Sequence, residues 1–224
     1  MTPHPPSDSG TPVVITFARP EESGAFRRRL AGCSRTKLGA LPAFRGRSRG
    51  HDVIIVHTGI GPESAGRTMA SVLAVTKPRM VISAGFAGGL DPALRVGDTL
   101  SADFSSGAIL SRPDPIETTE EKAAVFRQTG ARLVDMETAT IAAACGRADV
   151  RLIAVRAVSD SAHEPLPVPF DVWFDAERQR ARPLALACYL IARPARALAF
   201  ARFVSRLPRV AASLARAVEG ALRN

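Results

Sequence analysis

Four short segments carry residue types that can do chemistry. Val134-Asp135-Met136-Glu137 ends a brief apolar run in two acids, directly ahead of an Ala-rich stretch that reaches Arg147. Acids are favoured at a helix N-terminus, so the pair reads either as a cap or as binding carboxylates. Arg156 stands inside the apolar run 151–158, with Ser159 and Asp160 just beyond it. An arginine there is costly unless paired. It forms a structural ion pair with an acid near residue 136, or it orients a catalytic acid. Thr58-Gly59-Ile60-Gly61 and Gly85-Phe86-Ala87-Gly88-Gly89 follow β-branched apolar runs. They are tight turns, or they point backbone N–H groups at a ligand. Neither matches the phosphate-binding loop or the dinucleotide fingerprint.

Strands and helices must bring these residues together. Residues 13–17, 52–57, 79–83, 133–134 and 151–158 read as buried strands, and 98–110 as one or two short ones. Helices are expected from Pro20 to about Leu30, through about Val75 after Pro62, over 118–129 and over 137–147. Past Pro165, Pro167 and Pro169 the chain reads as helical, interrupted at Pro183, Pro194 and Pro208. Such alternation predicts an α/β fold: a three-layer, mostly parallel mixed sheet with helices on both faces, plus a helical C-terminal tail. Ligands in such folds gather at the carboxyl ends of strands. The expected organisation is a disordered leader over 1–11, a catalytic domain over 12–180 and a basic helical extension over 181–224.

A chain of 224 residues, 46% hydrophobic and 23% charged, suits one globular domain. Its net charge is +9, but 27 of its 30 basic residues are Arg and three are Lys (Lys37, Lys77, Lys122). That bias reads as a GC-rich genome choosing Arg codons, so the charge is discounted as a sign of a partner. With one Tyr and one Trp and no aromatic–basic interleaving, nucleic acid is not an expected partner. Cys33, Cys145 and Cys188 form no CxxC pair and are expected to be buried free thiols. No secretory signal is evident, and no stretch reaches the ~18 apolar residues of a membrane span. Residues 182–223 carry eight Arg and one Glu, with Arg202, Arg206 and Arg209 on one helical face. This tail is a membrane-surface helix, or it packs on the domain with a solvated Arg face. The expected location is cytoplasmic; the membrane-surface reading of the tail would add peripheral contact at the inner membrane surface.

TGIG at 58–61, SAGFAGGLDPALRVGD at 83–98, VDMET at 134–138 and RAVSD at 156–160 together resemble the purine nucleoside phosphorylase and nucleosidase superfamily. The order of these motifs is the family's order. They are most similar to the branch with methylthioadenosine/S-adenosylhomocysteine nucleosidase. The AGGLDPAL segment, compact middle and Ala/Arg-rich tail also resemble the short hopanoid-associated phosphorylases. The resemblance implies cleavage of an N-glycosidic bond in a purine nucleoside, of adenine type, or in a nucleoside-linked lipid. It implies that Glu137 binds the ribose hydroxyls and that Met136 packs under the sugar. Asp160, beside Ser159, would act on purine N7, and Arg156 would hold the carboxylate network. Glu22, with Glu21 next to it, would place the water. Gly61, Phe86, Ala87 and Gly88 would border the substrate. No cofactor or metal is implied; phosphate enters as an alternative co-substrate. The expected partners are a purine nucleoside-type small molecule and further copies of the chain.

Such cleavage develops positive charge on the sugar and negative charge on the base. A carboxylate near the sugar stabilises the first, and a proton donor at the base the second. Two features depart from the family. Phe86 stands where a small polar residue is usual, and the stretch between Asp98 and Val134 is short, leaving residues 106–111 as the candidate base wall. Hydrolysis leads phosphorolysis, because no Arg-bearing loop adjoins Phe86. The alternative is a non-catalytic nucleoside-binding protein of the same fold.

Overall fold

The computed structural model describes residues 11–223, so the expected leader lies, except for Thr11, outside the described residues. In chain order the elements are β1 (Val13–Phe17), α1 (Pro20–Arg27), β2 (Ala31–Leu38), β3 (Leu41–Ser48), β4 (His51–His57), α2 (Pro62–Val75), β5 (Met80–Gly89), β6 (Thr99–Ala102) and β7 (Ile109–Ser111). There follow α3 (Thr119–Thr129), β8 (Leu133–Asp135), α4 (Thr138–Arg147), β9 (Arg151–Asp160), α5 (Phe170–Trp173), β10 (Phe174–Asp175), β11 (Arg180–Ala181), α6 (Pro183–Ile191) and α7 (Pro194–Ala221).

The β-branched runs form the parallel centre of the sheet. β1 lies between β4 and β5, and β5 runs parallel to β9 on its other edge. Side chains alternate between two cores. Val13, Ile15 and Phe17 meet Phe26 of α1 and Leu214 and Val218 of α7. Val14 meets Ala65, Met69 and Val72 of α2 and Ile141 of α4. Helices thus cover both faces, as the continuous apolar strands required. The antiparallel strands sit outside this centre: β2 and β3 beyond β4, β6 beyond β9, and β8 at the end of β5.

The structure differs from the sequence reading in several places. β2 and β3 are a hairpin that the sequence left unassigned; β2 is mostly exposed and shows no apolar alternation. Residues 85–89 belong to β5 rather than to a loop, held by β9 along one edge. Pro208 sits within α7 instead of ending it. Of the two readings of the tail, packing on the domain describes its second half: Val210, Leu214, Val218 and Leu222 are buried over the face that the short α1 leaves uncovered. Cys145 is buried, but Cys33 on β2 and Cys188 on α6 are exposed, because their elements lie at the surface. Among the described residues, no helix is long and apolar enough to cross a membrane.

One irregularity in the sheet positions the site. β5 pairs with β1 up to Ser83 and with β8 from Gly88. Between those points its edge is open, at the carboxyl end of β1. A split of this kind is where α/β folds bind ligands.

Candidate active site

α1 starts with Pro20 at its first position and Glu21 and Glu22 in its first turn, where free backbone N–H groups favour acids. The turn sends Glu22 into the split. One carboxylate oxygen accepts the Arg19 N–H at 3.0 Å, and the other accepts the Phe86 N–H at 2.9 Å. Glu22 is 8% exposed. Burial raises its carboxyl above the ordinary value, against the pull of the two N–H donors and of Arg156. Gly85 allows this approach, since a Cβ there would stand 3.3 Å from Glu22 Oε1. Glu21 instead turns outward and pairs with Arg19. The Phe86 ring packs against the core around β1, so its backbone rather than its side chain makes the polar contact.

Glu137 stands at the start of α4 without a side-chain cap bond and lines the same cavity as Glu22. Its Oε1 accepts the Gly61 N–H at 2.7 Å. Gly61 has φ 88°, a conformation that side-chain-bearing residues avoid, which explains glycine at the end of that loop. Burial, reinforced by the neighbouring Asp135, pushes the Glu137 carboxyl up to about 7.

Arg156 pairs with Asp135, its Nε at 2.7 Å and its Nη2 at 2.6 Å. Its remaining N–H groups donate to Ser83 O, Ser83 Oγ and Thr138 Oγ1. The hydroxyls of Ser111 and Thr138 also donate to Asp135. This closed network braces the turn that carries Met136 and Glu137. Ser111 therefore supports the site instead of walling it, and Ile109 is buried in the core. Pro115, Ile116, Leu166, Pro167 and Val168 supply the wall expected from residues 106–111.

Asp160 has a neighbour the sequence reading missed. Its Oδ2 accepts from Lys122 Nζ at 2.5 Å, and its Oδ1 from Ser159 Oγ at 2.6 Å. Lys122 is wholly buried on α3 and also donates to the carbonyls of Ser161 and Glu164. Its signal was compositional: a lysine at a buried helical position, in a chain that otherwise uses arginine. Gln179 was missed as well. Its amide bonds both the N–H and the C=O of Ile60, holding the loop before Gly61.

These groups line a cavity of about 460 Å³. At its buried side stand Glu22, Phe86, Met136, Glu137, Ser159 and Asp160, with Ala87 and Gly88 between them. Toward the surface the wall is apolar: Trp173, Pro183, Leu186, Phe200, Phe203 and Leu207. The apolar face of the tail thus lines the cavity, and Arg206 pairs with Glu164. Arg156, expected at the substrate, does not line this cavity; it lies at the polar end on Asp135, Ser83 and Thr138. A second cavity of about 10 Å³ shares Glu22, Phe86 and Glu137 with the first and adds Thr16, Ser83 and Arg156. That is room for about one water, and Thr16 Oγ1 there is buried without a hydrogen-bond partner.

A family model, the phosphorylase superfamily, matches residues 12–104 and 99–192. The chain belongs to the phosphorylase superfamily. A superfamily relative, the 5′-methylthioadenosine/S-adenosylhomocysteine nucleosidase of Geobacillus kaustophilus (strain HTA426), is 24% identical over 78% of this chain and 95% of its own length. The nucleosidase of Tolumonas auensis (strain DSM 9187 / NBRC 110442 / TA 4) is 34% identical over 41% of this chain and 40% of its own. Among solved structures, a mutant of the Helicobacter pylori nucleosidase with 5′-methylthioadenosine in its active site superposes with a TM-score of 0.68 at 17% identity, covering 96% of this chain and 99% of that one. The futalosine hydrolase of Helicobacter pylori strain 26695 superposes with a TM-score of 0.65 at 18% identity, covering 92% and 94%. These two likenesses are of fold alone.

Proposed function

We propose that the chain hydrolyses the N-glycosidic bond of an adenine-type nucleoside that carries a large apolar 5′-substituent. One observation carries the reading. Two buried carboxylates, Glu22 and Glu137, flank a water-sized cavity in the wall of an apolar pocket. Water at that point attacks the anomeric carbon, and Glu22 takes its proton. The carbon–nitrogen bond breaks, and its electron pair leaves with the base, which takes up a proton from solvent at N7 while Glu22 returns the proton of the attacking water to solvent, so that the sum is nucleoside plus water to sugar plus base. Glu137 binds the ribose hydroxyls and balances the positive charge on the sugar. Its raised carboxyl matches a role near neutrality. Asp160, seated between Lys122 and Ser159, meets the base. The names of the nucleosidase and futalosine hydrolase relatives support the reaction class.

The apolar wall of Trp173, Leu186, Phe200 and Phe203 supports the substituent. A lipid-linked nucleoside, as the hopanoid-associated resemblance implies, fits it. The test is incubation of the full chain with a panel of nucleosides, with and without inorganic phosphate. Free adenine and the ribose that still carries its 5′-substituent, at a rate independent of phosphate, are expected. Ribose 1-phosphate appearing with phosphate would replace hydrolysis by phosphorolysis. Binding without cleavage of any adenine nucleoside would make the chain a binding protein.

A further inference from the structure

We infer that α6 and the first half of α7 dock the protein on an anionic phospholipid bilayer. The nine residues of α6, Pro183-Leu184-Ala185-Leu186-Ala187-Cys188-Tyr189-Leu190-Ile191, include no charge, yet none is buried. A helix apolar on all sides is normally enclosed. Leu184 is 81% and Ile191 83% exposed, and Leu198 on α7 is 55% exposed. None of these three lines the cavity, whereas Leu186 and Phe200 do. The two helices therefore present apolar side chains both to the cavity and to the outside.

The outer surface is also basic. Arg182, Arg193, Arg196 and Arg202 are exposed, and no acid occurs between Arg182 and Glu219. Among the described residues, no acid pairs with Arg193, Arg196 or Arg202. The Arg193 guanidinium lies 4.4 Å over the Tyr189 ring, joining the charged and apolar parts into one surface. A second copy of the chain would bring the same arginines to this face and be repelled. An anionic bilayer suits both parts: lipid phosphates meet the guanidinium groups, and the acyl boundary accepts Leu184, Ile191 and Leu198. The cavity is walled by the same helices, so docking brings its apolar side against the lipid. The inference does not rest on the reaction proposed above.

The experiment is flotation of the full chain with phosphatidylcholine vesicles, with or without phosphatidylglycerol, in the absence of nucleoside. Binding to the anionic vesicles at low salt and release at high salt are expected. Arg193→Gln and Arg196→Gln should each lower the partition coefficient about fivefold. Leu184→Glu with Ile191→Glu should abolish flotation while far-UV circular dichroism and the cooperative thermal melt persist. Equal binding to neutral vesicles, salt-insensitive binding or no flotation overturns the inference. So does a dimer that these apolar substitutions split while vesicles are ignored, which would make the face a contact between copies.

Discussion

Glu137 and Asp160 are both buried carboxylates near the cavity, but their surroundings assign them different work. Glu137 accepts from an uncharged N–H, and burial raises its carboxyl to about 7. If its ionised form acts on the sugar, kcat/KM rises with pH through about 7, and Glu137→Gln removes that limb and lowers turnover more than tenfold. The stability sign is opposite to that of a salt-bridged acid. A folded value above the ordinary 4.5 means that folding takes up a proton between pH 4.5 and about 7, so this residue weakens the fold as pH rises through that window. The melting temperature of Glu137→Gln relative to the parent should therefore climb over the same window. Asp160 instead shares a buried ion pair with Lys122. Lys122→Met leaves that carboxylate unpaired and should cost about 3–5 kcal/mol in denaturant unfolding. Adding Asp160→Asn to it should recover part of the loss. Asp160→Asn alone should slow substrates with poor leaving groups most, since those depend most on a carboxylate that accepts the N–H formed when the base takes up its proton. Equal losses across leaving groups would leave Asp160 a structural anchor.

α7 changes role along its length. Before Pro208, Phe200, Phe203 and Leu207 face the cavity; after it, Val210, Leu214 and Val218 belong to the sheet's core. Leu214→Ala should cost about 2–5 kcal/mol of stability through the cavity it leaves. Phe203→Ala should change stability less and raise KM for nucleosides with long 5′-substituents. Ending the chain before Pro208 should abolish cooperative unfolding, because one face of β1, β5 and β9 loses its cover. A shortened chain that still melts cooperatively would show that α1 covers that face alone.

At the scale of the molecule, the pocket joins a polar side bearing Glu22, Glu137 and Asp160 to an apolar wall contributed by the C-terminal helices. A series of adenosines with lengthening 5′-alkylthio chains measures that wall. Each methylene buried is worth about 0.8 kcal/mol, so kcat/KM should rise by up to about fourfold per carbon until the wall is filled. A flat series would mean that the wall covers no substrate. Much of this fold was legible in the sequence. Continuous β-branched runs such as Val53-Ile54-Ile55-Val56 read as strands covered on both faces, short motifs carried Met136, Glu137, Arg156 and Asp160 in order, and the family resemblance added Glu22 as the acid after the first strand. These signals are local, set by periodicity and by residue type. The partners were decided by tertiary structure. Asp135 rather than Glu137 receives Arg156, Lys122 reaches Asp160 across 38 positions, and Gln179 reaches Ile60 across 119. Such pairings depend on where the strands of the sheet split, and β5 is left open between Ser83 and Gly88 by two neighbours distant in sequence. The tail shows the same division. Its arginine spacing is a property of the helix alone, whereas the direction its apolar face takes, toward cavity, core or solvent, is set by what the rest of the chain leaves uncovered.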